Sequence, residues 1–226
     1  MLGLIVSILI CFGVPLGGLV YLANKKDGYE KLFFIGVLTF VISQILLRLP
    51  LLGVLAEFDW FIRFQFQSPL LFLLIVGGLS AGVFEEVARY LGLRLGCKKR
   101  WRFMDAVALG LGHGGIEAIL LVGLNQLILL LLYDDISSWS GEFLLAGIER
   151  VFAMTAHITF TIILLYIMKR RAWLAIVIAI VLHAIFNFIT IYLATTQNLS
   201  LTYLAMGIMT FVLVGICYKL KDKFDE

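Results

Sequence analysis

Seven runs of twenty or more predominantly apolar residues account for most of the chain, at 2–23, 32–55, 69–95, 103–132, 143–168, 173–194 and 199–218. A hydrocarbon core of about 30 Å takes about twenty helical residues to cross, so each run is long enough to span a bilayer. Lipid offers backbone N–H and C=O groups no partners, which leaves only helices and closed barrels as spanning structures. The alternating segments of about ten residues that build a barrel are missing. The pattern predicts an all-α, polytopic membrane helix bundle of about seven transmembrane helices. With 62% hydrophobic and 15% charged residues and a mean hydropathy of +1.04, little chain is left for a soluble unit. A single integral membrane domain over residues 1–226 is the simplest reading. Met1-Leu2-Gly3 has no basic character and no cleavage site follows the first run, so it reads as a span and not as a signal peptide.

Basic residues alternate between the connections. Lys25, Lys26 and Lys31 lie between the first two spans, Arg94, Lys98, Lys99, Arg100 and Arg102 between the third and fourth, Lys169, Arg170 and Arg171 after the fifth, and Lys219, Lys221 and Lys223 after the seventh. The other connections carry Arg63 and the acids Glu57, Asp59, Asp134, Asp135 and Glu142. By the positive-inside rule the amino terminus is outside, the carboxy terminus is cytoplasmic, and the chain is a multi-pass protein of the cell membrane. The net charge of +3 is accounted for by this topology signal and gives no nucleic-acid footprint. Cys11, Cys97 and Cys217 have neither the number nor the spacing of a disulfide framework or a zinc knuckle.

Against this apolar background the polar residues inside the spans stand out. FEEVARY places Glu85, Glu86 and Arg89 in the third span, and the three histidines fall in GLGHGGIEAI (His113), FAMTAHITF (His157) and VLHAIFNF (His183). Each of Glu85, His113, His157 and His183 lies ten or eleven residues from the basic end of its span, about 15 Å deep and near the bilayer midplane. Glu85 and Arg89, His113 and Glu117, and His183 and Asn187 are i,i+4 pairs, so each helix presents a polar stripe to one side. Gly77, Gly78 and Gly82, and Gly110, Gly112, Gly114 and Gly115, surround two of the stripes; Gly78 and Gly82 make a GxxxG, the pattern of closely approaching helices. Arg89 can neutralise Glu85. Glu86 projects about 100° round the helix and needs another partner, for which a histidine, a metal or trapped water is available. Glu149-Arg150 reads as a structural pair near the outer end of the fifth span, Arg48 as a snorkelling or loop-proximal residue, and Arg63 as a surface charge.

Imidazole and carboxylate dominate this cluster, and both bind metals or move protons. No serine, threonine or cysteine stands in a comparable motif, which argues against serine–histidine catalysis. A glutamate beside a histidine-bound metal can activate water for peptide hydrolysis; glutamate and histidine can also do so together without metal.

The segments FEEVARY, GLGHGGIEAI, ERVFAMTAHI and LHAIFN resemble, in order, the motifs of the YhfC-type intramembrane metalloproteases, within the larger group of CAAX-processing and bacteriocin-processing membrane proteases. The resemblance covers residues 77–187. In the larger group the first motif is EExxxR; here Arg89 is one residue closer, and Phe152 precedes His157 by five, departures that favour the YhfC-like branch. The resemblance implies an intramembrane endopeptidase acting on a membrane-associated peptide or protein. It implies Glu85 or Glu86 as the base, with His157 and His183 as its partners, Arg89 as the arginine of the first motif, and Asn187 as the group that steadies an oxyanion. His113 and Glu117 would join His157 and His183 around zinc or another divalent metal. A proton- or metal-coupled transporter would also use buried Glu, His and Arg, although no inverted repeat is evident. A seven-span receptor or a haem-binding subunit is the third class.

Overall fold

The computed structural model describes residues 1–98, 101–133 and 139–224; Lys99, Arg100, Asp134 and Asp135 of the charge pattern lie outside the described residues. Among the described residues eight helices follow one another: α1 (Leu2–Asn24), α2 (Tyr29–Leu55), α3 (Asp59–Gln67), α4 (Pro69–Gly96), α5 (Phe103–Leu132), α6 (Ser140–Met168), α7 (Ala172–Thr195) and α8 (Leu199–Phe224). No strand occurs among the described residues. All except α3 are long and apolar enough to cross a membrane, and the seven expected spans fall on them. Helix starts follow local chemistry. Pro69 opens α4, its missing N–H being no loss in a first turn. The carboxylate of Asp105 reaches back to the Arg102 N–H at 2.9 Å, and Asn198 caps α8 by accepting from the Leu201 N–H at 3.0 Å.

The connection between the second and third expected spans is itself helical, which its charges hid. In α3 the side chains of Trp60, Ile62 and Phe66 are exposed, while the Phe61 ring packs against Phe72 with centroids 5.3 Å apart. A short aromatic helix of this kind suits the interface between headgroups and acyl chains.

α6 forms the centre, with 67% of its apolar window buried against 22–39% for the other spans. Close approach of its neighbours is set by glycine. A Cβ on Gly36 would enter the Leu109 carbonyl, and one on Gly112 the Phe33 carbonyl, so α2 and α5 touch backbone to backbone. At the α4–α7 crossing the GxxxG acts as its sequence suggests: Cβ atoms on Gly78 and Gly82 would stand 2.7 Å from the Ala184 oxygen and 2.9 Å from the Ile180 oxygen. Three wide, π-type turns interrupt the spans close to the polar cluster, at Val41–Arg48, Leu73–Leu79 and Ile119–Gly123. In the second of these the Ser80 N–H bonds the Ile75 oxygen, so the Val76 carbonyl loses its usual amide donor and accepts side chains instead.

The glycine contacts give a stability prediction. Gly112→Ala should lower stability by about 1–3 kcal/mol or more through overpacking, read as a fall in melting temperature in detergent. Gly53→Ala, where nothing lies within 4 Å of the new methyl, should leave the melting temperature unchanged; equal behaviour of the two variants would contradict the backbone-contact reading.

Candidate functional site

α4 supplies Glu85, Glu86 and Arg89, α5 His113 and Glu117, α6 His157, and α7 His183. Glu85, Glu86, Arg89 and the three histidines are each 5% exposed or less, and four helices meet in this cluster as the common depth suggests. Buried in a bundle, these groups must satisfy one another.

Glu85 is the point of convergence. Its Oε1 accepts from Gln44 Nε2 at 2.6 Å, and its Oε2 from His113 Nε2 at 2.9 Å and Arg89 Nη2 at 3.4 Å. His113 Nδ1 lies 2.8 Å from Thr39 Oγ1. The two remaining histidines are each gripped from outside by a carboxylate. His183 Nδ1 stands 2.7 Å from Glu86 Oε1, and His157 Nε2 stands 2.5 Å from Glu117 Oε2. An ionised carboxylate only accepts, so beside one each of these nitrogens donates, and in a neutral ring the opposite nitrogen then carries the lone pair; Arg89 Nη2 also lies 3.2 Å from His183 Nδ1. Those lone-pair atoms, His183 Nε2 and His157 Nδ1, both lie 3.8 Å from Glu85 Oε2. His157 Nδ1 is buried without a hydrogen-bond partner.

Ligand atoms of Glu85, His157 and His183 thus come within 4.8 Å of one another. Tetrahedral ligands about 2.0–2.2 Å from a zinc ion are separated by about 3.4 Å, so the group fits a divalent metal after small side-chain movements. Each histidine already has the outer carboxylate that fixes ring and tautomer in metal sites. Of the expected metal-shell residues, His157 and His183 belong to this group. His113 and Glu117 stand one hydrogen bond outward, on Glu85 and on His157.

Several sequence expectations are refined. Arg89 lies closer to Glu86, with Nη2–Oε1 at 2.7 Å, than to Glu85 at 3.4 Å, and its Nη1 donates to the His157 carbonyl at 3.2 Å. The separate partner that Glu86 requires is therefore His183, with Arg89 shared. Arg150 does pair with Glu149, but it also donates to Glu117 at 2.8 Å, which ties that supposedly independent pair to the site. Arg48 is not a snorkelling or loop-proximal residue. Its guanidinium is turned into the bundle, donating to Ser80 Oγ at 2.9 Å, Gln44 Oε1 at 2.9 Å and the Val76 carbonyl at 2.7 Å. Gln44 and Thr39 were missed. Gln44 and Arg48 form the same i,i+4 polar stripe as the other helices, a signal that could have found Gln44, whereas Thr39 lies outside it.

Two cavities adjoin the cluster. One of about 240 Å³ is bordered by Gln44, Arg48, Glu85, Glu117, Leu121 and Asn187. A smaller one of about 60 Å³ is bordered by Glu117, Arg150, His157, Asn187 and Thr190 among others. Glu117 and Asn187 border both.

Removing Arg89 should leave two buried carboxylates with a missing partner, destabilising the fold by about 3–5 kcal/mol. Unfolding of Arg89→Ala in detergent would report this; a variant as stable as the wild type would mean that the shared guanidinium does not hold α4, α6 and α7 together.

The model of the YhfC intramembrane metalloproteases matches residues 7–143 and 135–209, which include all four motifs. The uncharacterized membrane protein YhfC of Bacillus subtilis (strain 168) is 33% identical, with 79% of each chain covered. No solved structure gives a significant match. By both its motifs and its extent of similarity, the chain belongs to the YhfC intramembrane metalloprotease family.

Proposed function

We propose that the protein is an intramembrane metalloendopeptidase that hydrolyses a peptide bond of a membrane-associated polypeptide. The observation that carries this reading is the pair of histidines whose outer nitrogens are held by carboxylates and whose inner nitrogens face Glu85. Glu85, His157 and His183 would hold the ion. Zinc suits two imidazoles and a carboxylate, and it would supply Lewis acidity to a water and to the scissile carbonyl.

The surrounding residues divide the remaining work. Glu86 and Arg89 fix His183, and Gln44 and His113 fix Glu85. With Glu85 engaged as a ligand and Glu86 fully buried behind His183, Glu117 is the carboxylate bordering both cavities next to the histidines. It takes the proton of the attacking water and delivers it to the departing amine nitrogen. Arg150 holds its Oε1 and His157 stands on its Oε2, which fixes the carboxylate at the border of the two cavities. The Asn187 side chain, across the same cavities, donates to the developing oxyanion.

Cleavage of a membrane-associated peptide by purified protein tests the assignment. His157→Ala and His183→Ala should abolish it, while Glu117→Gln should reduce it by about 10²–10⁴-fold with the fold intact. Glu86→Gln, whose amide oxygen can still accept from His183, should retain more activity than Glu117→Gln. Full cleavage by both histidine variants would overturn the proposal, and proton or metal flux into proteoliposomes without any cleavage would favour a transporter.

A further inference from the structure

Among the described residues, the two cavities that adjoin the cluster lie on one side of it. Moving away from the basic loops, α2 passes Gln44 and then Arg48, α5 passes His113 and then Glu117 and Leu121, and α7 passes His183 and then Asn187. Of these, Gln44, Arg48, Glu117, Leu121 and Asn187 border the larger cavity. In the opposite direction α4, α5, α6 and α7 close on Leu93, Leu109, Leu164, Leu165, Ala175 and Ala179, each 1% exposed or less. The centre is sealed toward the end carrying Lys98 and Lys169, and it has space toward the end carrying Glu57.

Arg48 is the unusual group in that space. Its three hydrogen-bond acceptors are a hydroxyl, an amide oxygen and a backbone carbonyl, and among the described residues it forms no ion pair. Arg89 and Arg150 each have carboxylate partners. Glu85, Glu86, Glu117 and Glu149 face three guanidinium groups, leaving one negative charge; a divalent ion on Glu85, His157 and His183 would turn this into one positive charge. An anion beside Arg48 would match that excess, and the Arg48 fork still has N–H groups to offer. Arg48 is seven residues from the end of α2, about 10 Å along the helix. A lipid phosphate stays in the interfacial layer outside the hydrocarbon core, whereas a peptide inserted toward the centre can carry a carboxylate to this depth.

We propose that the Arg48-lined cavity is the substrate's entry subsite, reached from the bundle end opposite the basic loops, and that Arg48 there receives a carboxylate of the peptide. This rests on the peptidase reading and narrows it: the substrate is a polypeptide segment presented on that face, with an acidic side chain or a free carboxy terminus near the scissile bond.

Thiol labelling tests the subsite without requiring turnover. The native cysteines are buried, so the wild-type protein serves as the blank. Leu121→Cys should react with a membrane-impermeant thiosulfonate from the face that labels Glu57→Cys and not from the face that labels Lys98→Cys. Acetyl-Leu-Ala-Leu with a free carboxylate should slow this labelling at concentrations about tenfold below those needed of its carboxamide, the discrimination given by a hydrogen-bonded charge. Arg48→Gln should erase the difference between the two peptides, and Arg48→Lys should preserve part of it. Labelling from the Lys98 face, labelling from neither face, equal protection by acid and amide, or protection indifferent to Arg48→Gln would each overturn the proposal. Such a failure in a protein that still cleaves peptides would leave the peptidase reading standing. The expected labelling in a protein without peptidase activity would instead reject the peptidase reading.

Discussion

The carboxylate of Glu85 is the contact on which the polar interior depends. A buried anion is tolerable only when donors surround it, and here they arrive from Gln44 on α2, His113 on α5 and Arg89 one turn along its own helix. Each donor is in turn held by something else. Thr39 stands against His113, Arg48 binds Gln44, and Arg89 is shared with Glu86 and the His157 carbonyl. A water-soluble protein could let solvent finish such a network; a bundle in lipid has to finish it with its own side chains. His157 Nδ1 is one buried atom at which it stays open; together with His183 Nε2 it faces Glu85 Oε2, and these atoms are suited to an ion.

The same constraint explains why the backbone is irregular beside the site. Glycine lets α2 approach α5, and α4 approach α7, at backbone distance, which would leave no room for a peptide. The wide turns at Val41–Arg48, Leu73–Leu79 and Ile119–Gly123 relieve that packing on one side of the cluster. They border the larger cavity through Arg48, Gly77 and Leu121, and the Val76 carbonyl freed by one of them anchors Arg48. Tight crossings position the side chains, and loosened turns leave space in front of them. Irregular backbone inside a membrane protein is tolerated where protein or a cavity satisfies it.

Much of this was readable from the chain, because lipid makes polarity conspicuous. The seven spans follow from apolar length. Glu85, His113, His157 and His183 stand out because charged or titratable groups rarely lie at mid-membrane depth without a role. What escaped notice was neutral or relational. Thr39 and Gln44 carry no charge, and an isolated threonine or amide in an apolar run has several harmless uses. Glu85 and Glu86 are adjacent, and spacing alone gives each its own direction without saying which direction is the centre. The link from Arg150 to Glu117 depends on the register of α6 against α5, a tertiary property. The helix α3 was hidden because Glu57, Asp59 and Arg63 resemble an ordinary loop when its aromatic residues are not weighed.

The central claim is that Glu85, His157 and His183 form the inner metal set, with His113 outside it. Elemental analysis of purified protein and variants tests this most directly. The account predicts about one divalent metal per chain, lost in His157→Ala and His183→Ala and retained in His113→Gln. A wild-type protein that cleaves peptide at full rate without metal, or metal content that survives both His157→Ala and His183→Ala, would contradict it.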